Sequence, residues 1–141
     1  MYEHNLGEVL DSSTGFRLPN GDLLSPDVSF VSRNRLKRVS RTYLSVVPEL
    51  IVEIKASSDR IRELEEKIAL FLRQGVQVGI LIDPDQQVVS VYRITGLSID
   101  DDREEVLPQS TTLRDGDPLT IPELFPGWEI SITNLWPAVY E

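Results

Sequence analysis

Apolar positions along the chain recur with two periods, and the change from one to the other marks out the elements. Around Ser25-Pro26-Asp27-Val28-Ser29-Phe30-Val31 the alternation is that of a strand. Val28 and Phe30 fall on one face, and Asp27, Ser29 and Val31 on the other. Pro26 cannot donate to a ladder and suits the first position of such a strand. Leu50, Ile51, Val52 and Ile54 form a run without clean alternation, bounded by Pro48 and by Ala56-Ser57-Ser58. That is the pattern of a short strand buried on both faces. The period then lengthens: Ile61, Leu64, Ile68, Phe71 and Leu72 recur at helical spacing and make one apolar stripe. Ser57, Ser58 and Asp59 offer N-cap oxygens, and Gly75 supplies the C-terminal stop. Arg62–Glu66 and Glu63–Lys67 are i,i+4 pairs for the wet side. Val76 to Ile82 reads as a second buried strand, and a strand–helix–strand unit of this length predicts a parallel, right-handed crossover.

The flanks are simpler. Gly7 to Leu10 and Gly15 to Leu18 are short strands, and Pro19-Asn20-Gly21-Asp22 is a hairpin turn. That turn predicts an antiparallel pairing of the Phe16 strand with the Asp27 strand. Asp83 to Gln87 turns the chain into a strand from Val88 to Arg93, antiparallel to the one before it. Glu104 to Leu107 is a further strand, and Asp115-Gly116-Asp117-Pro118 a turn. Leu124, Phe125, Trp128, Ile130, Ile132, Leu135 and Trp136 form an apolar tail expected to cover the sheet. No repeat, linker or low-complexity stretch divides the chain. Residues 1–141 are therefore read as one α/β domain, a mixed β-sheet with a central helix packed on one face.

Composition narrows the chemistry. A chain of 141 residues can bury a real core. The absence of cysteine excludes both a disulfide framework and a thiolate metal site. No apolar stretch reaches membrane-spanning length and no signal pattern opens the chain, so a cytoplasmic protein with no membrane partner is expected. No zinc-ligand spacing, phosphate-cradling glycine loop or dinucleotide fingerprint is present. A net charge of −9 argues against indiscriminate binding of nucleic acid, but the charge is unevenly spread. Arg33, Arg35, Lys37, Arg38 and Arg41 lie in a stretch without acids that directly follows the Asp27 strand. It reads either as a solvated loop or as a phosphate-contacting segment. The acidic run from Asp100 to Glu105 reads as solvated.

Two charges interrupt the most apolar strand. Glu53 and Lys55 share one face of it, and buried charges are costly unless paired or bound to a metal. Either they form an ion pair, or Glu53 is half of a metal site with a lysine beside it. Pro26-Asp27 followed by Glu53-Ile54-Lys55 resembles the signature of the PD-(D/E)XK nuclease superfamily. The ordered set Thr14 to Asp22, Ser25 to Val28, Val52 to Ile54, Ser57 to Asp59, Glu66-Lys67, Gly75-Val76 and Asp83-Pro84 is similar to the Uma family of endonucleases within it.

The resemblance implies a restriction-endonuclease-like fold and a metal-dependent endonuclease acting on DNA. Asp27 and Glu53 would be the metal-holding carboxylates, with the carbonyl of Ile54 as a further ligand. Lys55 would orient or deprotonate the attacking water. Carboxylate oxygens suit Mg²⁺ or Mn²⁺. Arg33, Arg35, Lys37, Arg38 and Arg41 would meet the DNA backbone. The alternative is a catalytically degenerate nuclease fold that binds nucleic acid or protein, or serves oligomerisation. Family members carry a further N-terminal segment, and this chain begins near its first strand. Apolar surface left uncovered in that way predicts a homo-oligomer, a symmetric dimer being the simplest form.

Overall fold

The structure, a computed structural model, describes residues 6–33, 43–44, 46–100 and 103–136. In chain order its strands are β1 (Gly7–Asp11), β2 (Gly15–Arg17), β3 (Leu23–Leu24), β4 (Val28–Ser32), β5 (Tyr43–Leu44) and β6 (Leu50–Ile54). The helix α1 (Ile61–Arg73) precedes β7 (Val78–Asp83), β8 (Val88–Asp100), β9 (Arg103–Leu113), β10 (Pro118–Thr120) and β11 (Glu129–Ser131). A 3-10 turn over Ile132–Leu135 follows. The main sheet has six strands in the order β1-β4-β6-β7-β8-β9. Within it β6 and β7 are parallel, and every other neighbouring pair is antiparallel. Among the described residues a mixed sheet with one α-helix is thus what forms, as the periodicities predict.

Alternation along the central strands sorts the core into two layers. Ile51 and Leu81 face α1, where they pack with Val31, Ile68, Phe71 and Leu72. Leu50, Val78 and Ile80 face the other way, under Leu119, Ile121, Phe125 and Ile132 of the tail. The helix lies close on its layer because β7 carries Gly79. A β-carbon there would stand 2.5 Å from the Ile68 side chain, so a larger residue would push α1 off the sheet. Behind Val28, Val52 and Ile82 a cavity of about 220 Å³ lies under Leu119, Phe125 and Trp128; its walls are almost wholly apolar.

Three local expectations are corrected. The hairpin through Asn20-Gly21 joins β2 to β3, pairing Phe16 with Leu24 in a separate three-stranded sheet, and the antiparallel partners of β4 are β1 and β6. At that turn only Gly21 takes positive φ, at 94°. Helix α1 has Arg60 at its N-cap with no side-chain cap, because Asp59 Oδ2 accepts from the Ala56 amide at 2.8 Å. Lys67 turns away from Glu63, for a reason that lies in the site.

Candidate active site

The register of β4 on β6 sets the geometry. Val28 stands opposite Val52, and Ser29 opposite Ile51. One step further along the same register, just before β4 begins, Asp27 falls across from Glu53. Both then point to the α1 face, since Val31, four residues on from Asp27, and Ile51, two residues before Glu53, pack there. The side chain of Asp27 extends the ladder beyond its end. Its Oδ2 accepts the backbone N–H of Ile54 at 2.7 Å, fixing the carboxylate at the C-terminal end of β6.

Glu53 is 2% exposed, an ionisable side chain in a layer of leucines and isoleucines. Its partner is Lys67, whose Nζ lies 2.7 Å from Oε1. The same ammonium donates to the carbonyl oxygen of Ser25 at 3.0 Å, so the helix, the entry to β4 and the end of β6 meet on one cation. The contact with Oε1 is ionic in character: it lies off hydrogen-bond angles, which leaves that buried oxygen with unfilled acceptor capacity. Burial raises the carboxyl pKa of Glu53 above its usual value. Lys67 opposes that rise, and the neighbouring Asp27 adds to it through its charge and a direct side-chain contact.

The sign of the pH dependence follows. A carboxyl group whose pKa is raised by folding favours the native state when protonated. Stability is therefore lost as pH climbs from the ordinary value of 4.5 through the raised one. Metal-free protein should lose stability over that window, and Glu53→Gln should flatten the loss. Thermal denaturation of both proteins across the acidic range checks this, and parallel curves would remove Glu53 as the cause.

Lys55 shares the Glu53 side of the strand end, because its amide continues the pairing of β6 with β7 by donating to Ile82 O at 2.8 Å. It is half-buried, and its Nζ lies 3.4 Å from Ala56 O. The ion pair that Glu53 makes is thus with Lys67 on the helix. Sequence reasoning assigned Lys67 to Glu63 because the local i,i+4 rule offers a partner in plain view. The available signal is its place beside the stripe, one residue before the fully buried Ile68. Ser57 donates to Asp85 Oδ2 at 3.3 Å, tying the loop after β6 to the turn after β7. Of the basic segment only Arg33 is described, exposed at the end of β4; Arg35, Lys37, Arg38 and Arg41 lie outside the described residues.

The donor set suits a hard divalent cation. Two carboxylates on adjacent strands are the number Mg²⁺ takes from protein, and one contributes a buried oxygen whose one close cation among the described residues is the Lys67 ammonium. Among the described residues no group of three or more His, Cys, Asp or Glu side chains gathers to hold a metal more fully. Nor is any helix among them long and apolar enough to cross a membrane.

A family model, Uma2, described as "Putative restriction endonuclease", matches residues 1–133. No curated protein matches the chain. Among solved structures, the crystal structure of "a putative nuclease belonging to DUF820" from Anabaena variabilis superposes with a TM-score of 0.76 at 20% identity. The alignment covers 96% of this chain and 70% of that one. The likeness is one of fold, a mixed sheet with a helix.

Proposed function

The chain belongs to the Uma2 family, whose description is that of a restriction endonuclease, and on that footing we propose that it hydrolyses DNA phosphodiester bonds with Mg²⁺ or Mn²⁺. The observation that carries this reading is the opposition of Asp27 and Glu53 across β4 and β6, one of them buried among apolar side chains. A buried carboxylate whose ionisation is disfavoured by a second one beside it has little structural use.

Asp27, Glu53 and the carbonyl of Ile54 would hold the ion. Bound there, a divalent cation polarises a phosphoryl oxygen and acidifies water. The ladder contact to Ile54 holds Asp27 still, so that its oxygens are placed before substrate arrives. Lys55 sits at the open end of the strand, where an ammonium can orient the attacking water or offset charge developing on the phosphate. Arg33, Arg35, Lys37, Arg38 and Arg41 would supply positive charge for the DNA backbone; Arg33 itself stands at the end of β4 opposite to Asp27. The test is cleavage of supercoiled plasmid by the purified chain with Mg²⁺ or Mn²⁺ against a chelated control. Absence of metal-dependent nicking at high enzyme concentration would favour a binding domain on a nuclease fold.

We also propose self-association. Val9 is 56% and Ile54 45% exposed, and Trp128 stands 38% exposed at the cavity mouth. Apolar groups so placed favour a partner of the same kind. Sedimentation velocity should show a dimer at micromolar concentration; a monomer up to the highest concentration reached would refute it.

A further inference from the structure

Lys67 occupies a position that the metal reading leaves unexplained. The ammonium lies 2.7 Å from the buried Oε1 of Glu53, where a metal held by that carboxylate would also need to approach. Its angle to that oxygen is poor, while its bond to Ser25 O, at 3.0 Å, has regular geometry. The ammonium is anchored on the backbone of the β3–β4 connection and leans onto the carboxylate. It remains 28% exposed, so it has room to turn outward without unfolding α1.

We infer that Lys67 is the resident counter-cation of the Asp27–Glu53 pair, and that it gives up Glu53 when a divalent ion takes the carboxylates. The inference rests on the metal-binding reading above and adds a regulatory element to it. Without a cation, two facing carboxylates in a layer of aliphatic side chains would repel and separate. Lys67 supplies that positive charge from the helix and keeps the metal-free site assembled. Its hold on Glu53 then competes with the metal, so the site trades affinity for preformed geometry. Released from Glu53, the ammonium retains Ser25 O and faces the mouth of the site, where an anionic ligand can meet it.

Calorimetric titration of the full chain with Mn²⁺ tests this, comparing wild type, Lys67→Met and Asp27→Asn. Lys67→Met should bind Mn²⁺ about tenfold tighter, the scale set by one charge-assisted contact no longer broken on binding. Binding no tighter than wild type would overturn the competition. Reductive methylation of the wild-type protein, read by mass spectrometry at Lys67, gives an independent measure that needs no variant. Saturating Mn²⁺ should increase modification of Lys67, and unchanged or reduced modification would also overturn the inference. The two failures separate cleanly. Wild-type binding that Asp27→Asn abolishes and Lys67→Met leaves alone sinks the role of Lys67 only. No wild-type binding, or binding that Asp27→Asn does not weaken, sinks the metal site and this inference with it.

Discussion

Replacing Asp27 by Asn should lower metal-dependent plasmid cleavage by about two to three orders of magnitude, the scale of losing one preorganised electrostatic group. The fold should survive. Asn keeps an oxygen that can accept the Ile54 amide, so the contact at the end of the ladder remains while the charge goes. Removing that charge also relieves Glu53, whose pKa Asp27 helps to raise, so the metal-free variant should be no less stable than wild type at neutral pH. Lys55→Ala should cost a comparable factor by a different route, about 10²–10⁴-fold for a group that handles a proton, with metal affinity nearly unchanged. Initial rates together with Mn²⁺ titration distinguish the two. An Asp27→Asn protein that cuts at the wild-type rate would remove the carboxylate pair from the chemistry.

The second large effect lies on the far side of the sheet. Phe125 is buried, with its ring edge-on to Phe30 at 5.0 Å between centroids and to Trp128 at 6.2 Å. Phe125→Ala should cost about 3–5 kcal/mol, because it deletes a core aromatic and enlarges a cavity already beneath it. Against a total stability of about 5–15 kcal/mol for a domain, that is enough to depress the denaturation midpoint severely. The measurement is urea denaturation, and a midpoint within error of wild type would mean the tail does not hold the sheet. Arg93 gives this tail a polar fastening, with two contacts to the Glu123 carboxylate at 2.7 and 3.1 Å. That pair is a third exposed and worth far less than the aromatic.

How much of this was legible depended on whether a residue's role was set by its neighbours in sequence. Strand β6, helix α1 and the stop at Gly75, with φ of 114°, announced themselves because periodicity and turn chemistry are local. The tail was legible too, since a cluster so apolar as Leu124 to Trp136 has to be buried somewhere. What local pattern misjudged was partnership. Asn20-Gly21 revealed a hairpin but not which strands it served, since a turn fixes its own two arms and says nothing of the next strand's sheet. Asp59 looked like a cap and instead closes the turn onto Ala56. Lys67 looked like an exposed helix residue and became the counter-charge of Glu53, through a contact the i,i+4 rule cannot see. The carboxylate pair itself was legible only because the two motif residues were read together with the strand faces they occupy.

The register that brings Asp27 opposite Glu53 also protects the sheet against its nearest misassembly. If β4 slipped by one residue on β6, every side chain of β4 would change face. Asp27 would then enter the apolar layer of Phe30, Phe125 and Ile132, at a cost of several kcal/mol for a carboxylate buried among aromatic and aliphatic side chains. Val28, in exchange, would be set against the ammonium of Lys67. The same charge that makes the native pair expensive to assemble thus makes the slipped sheet more expensive still, so the Asp27 carboxylate doubles as a proofreading mark for strand alignment.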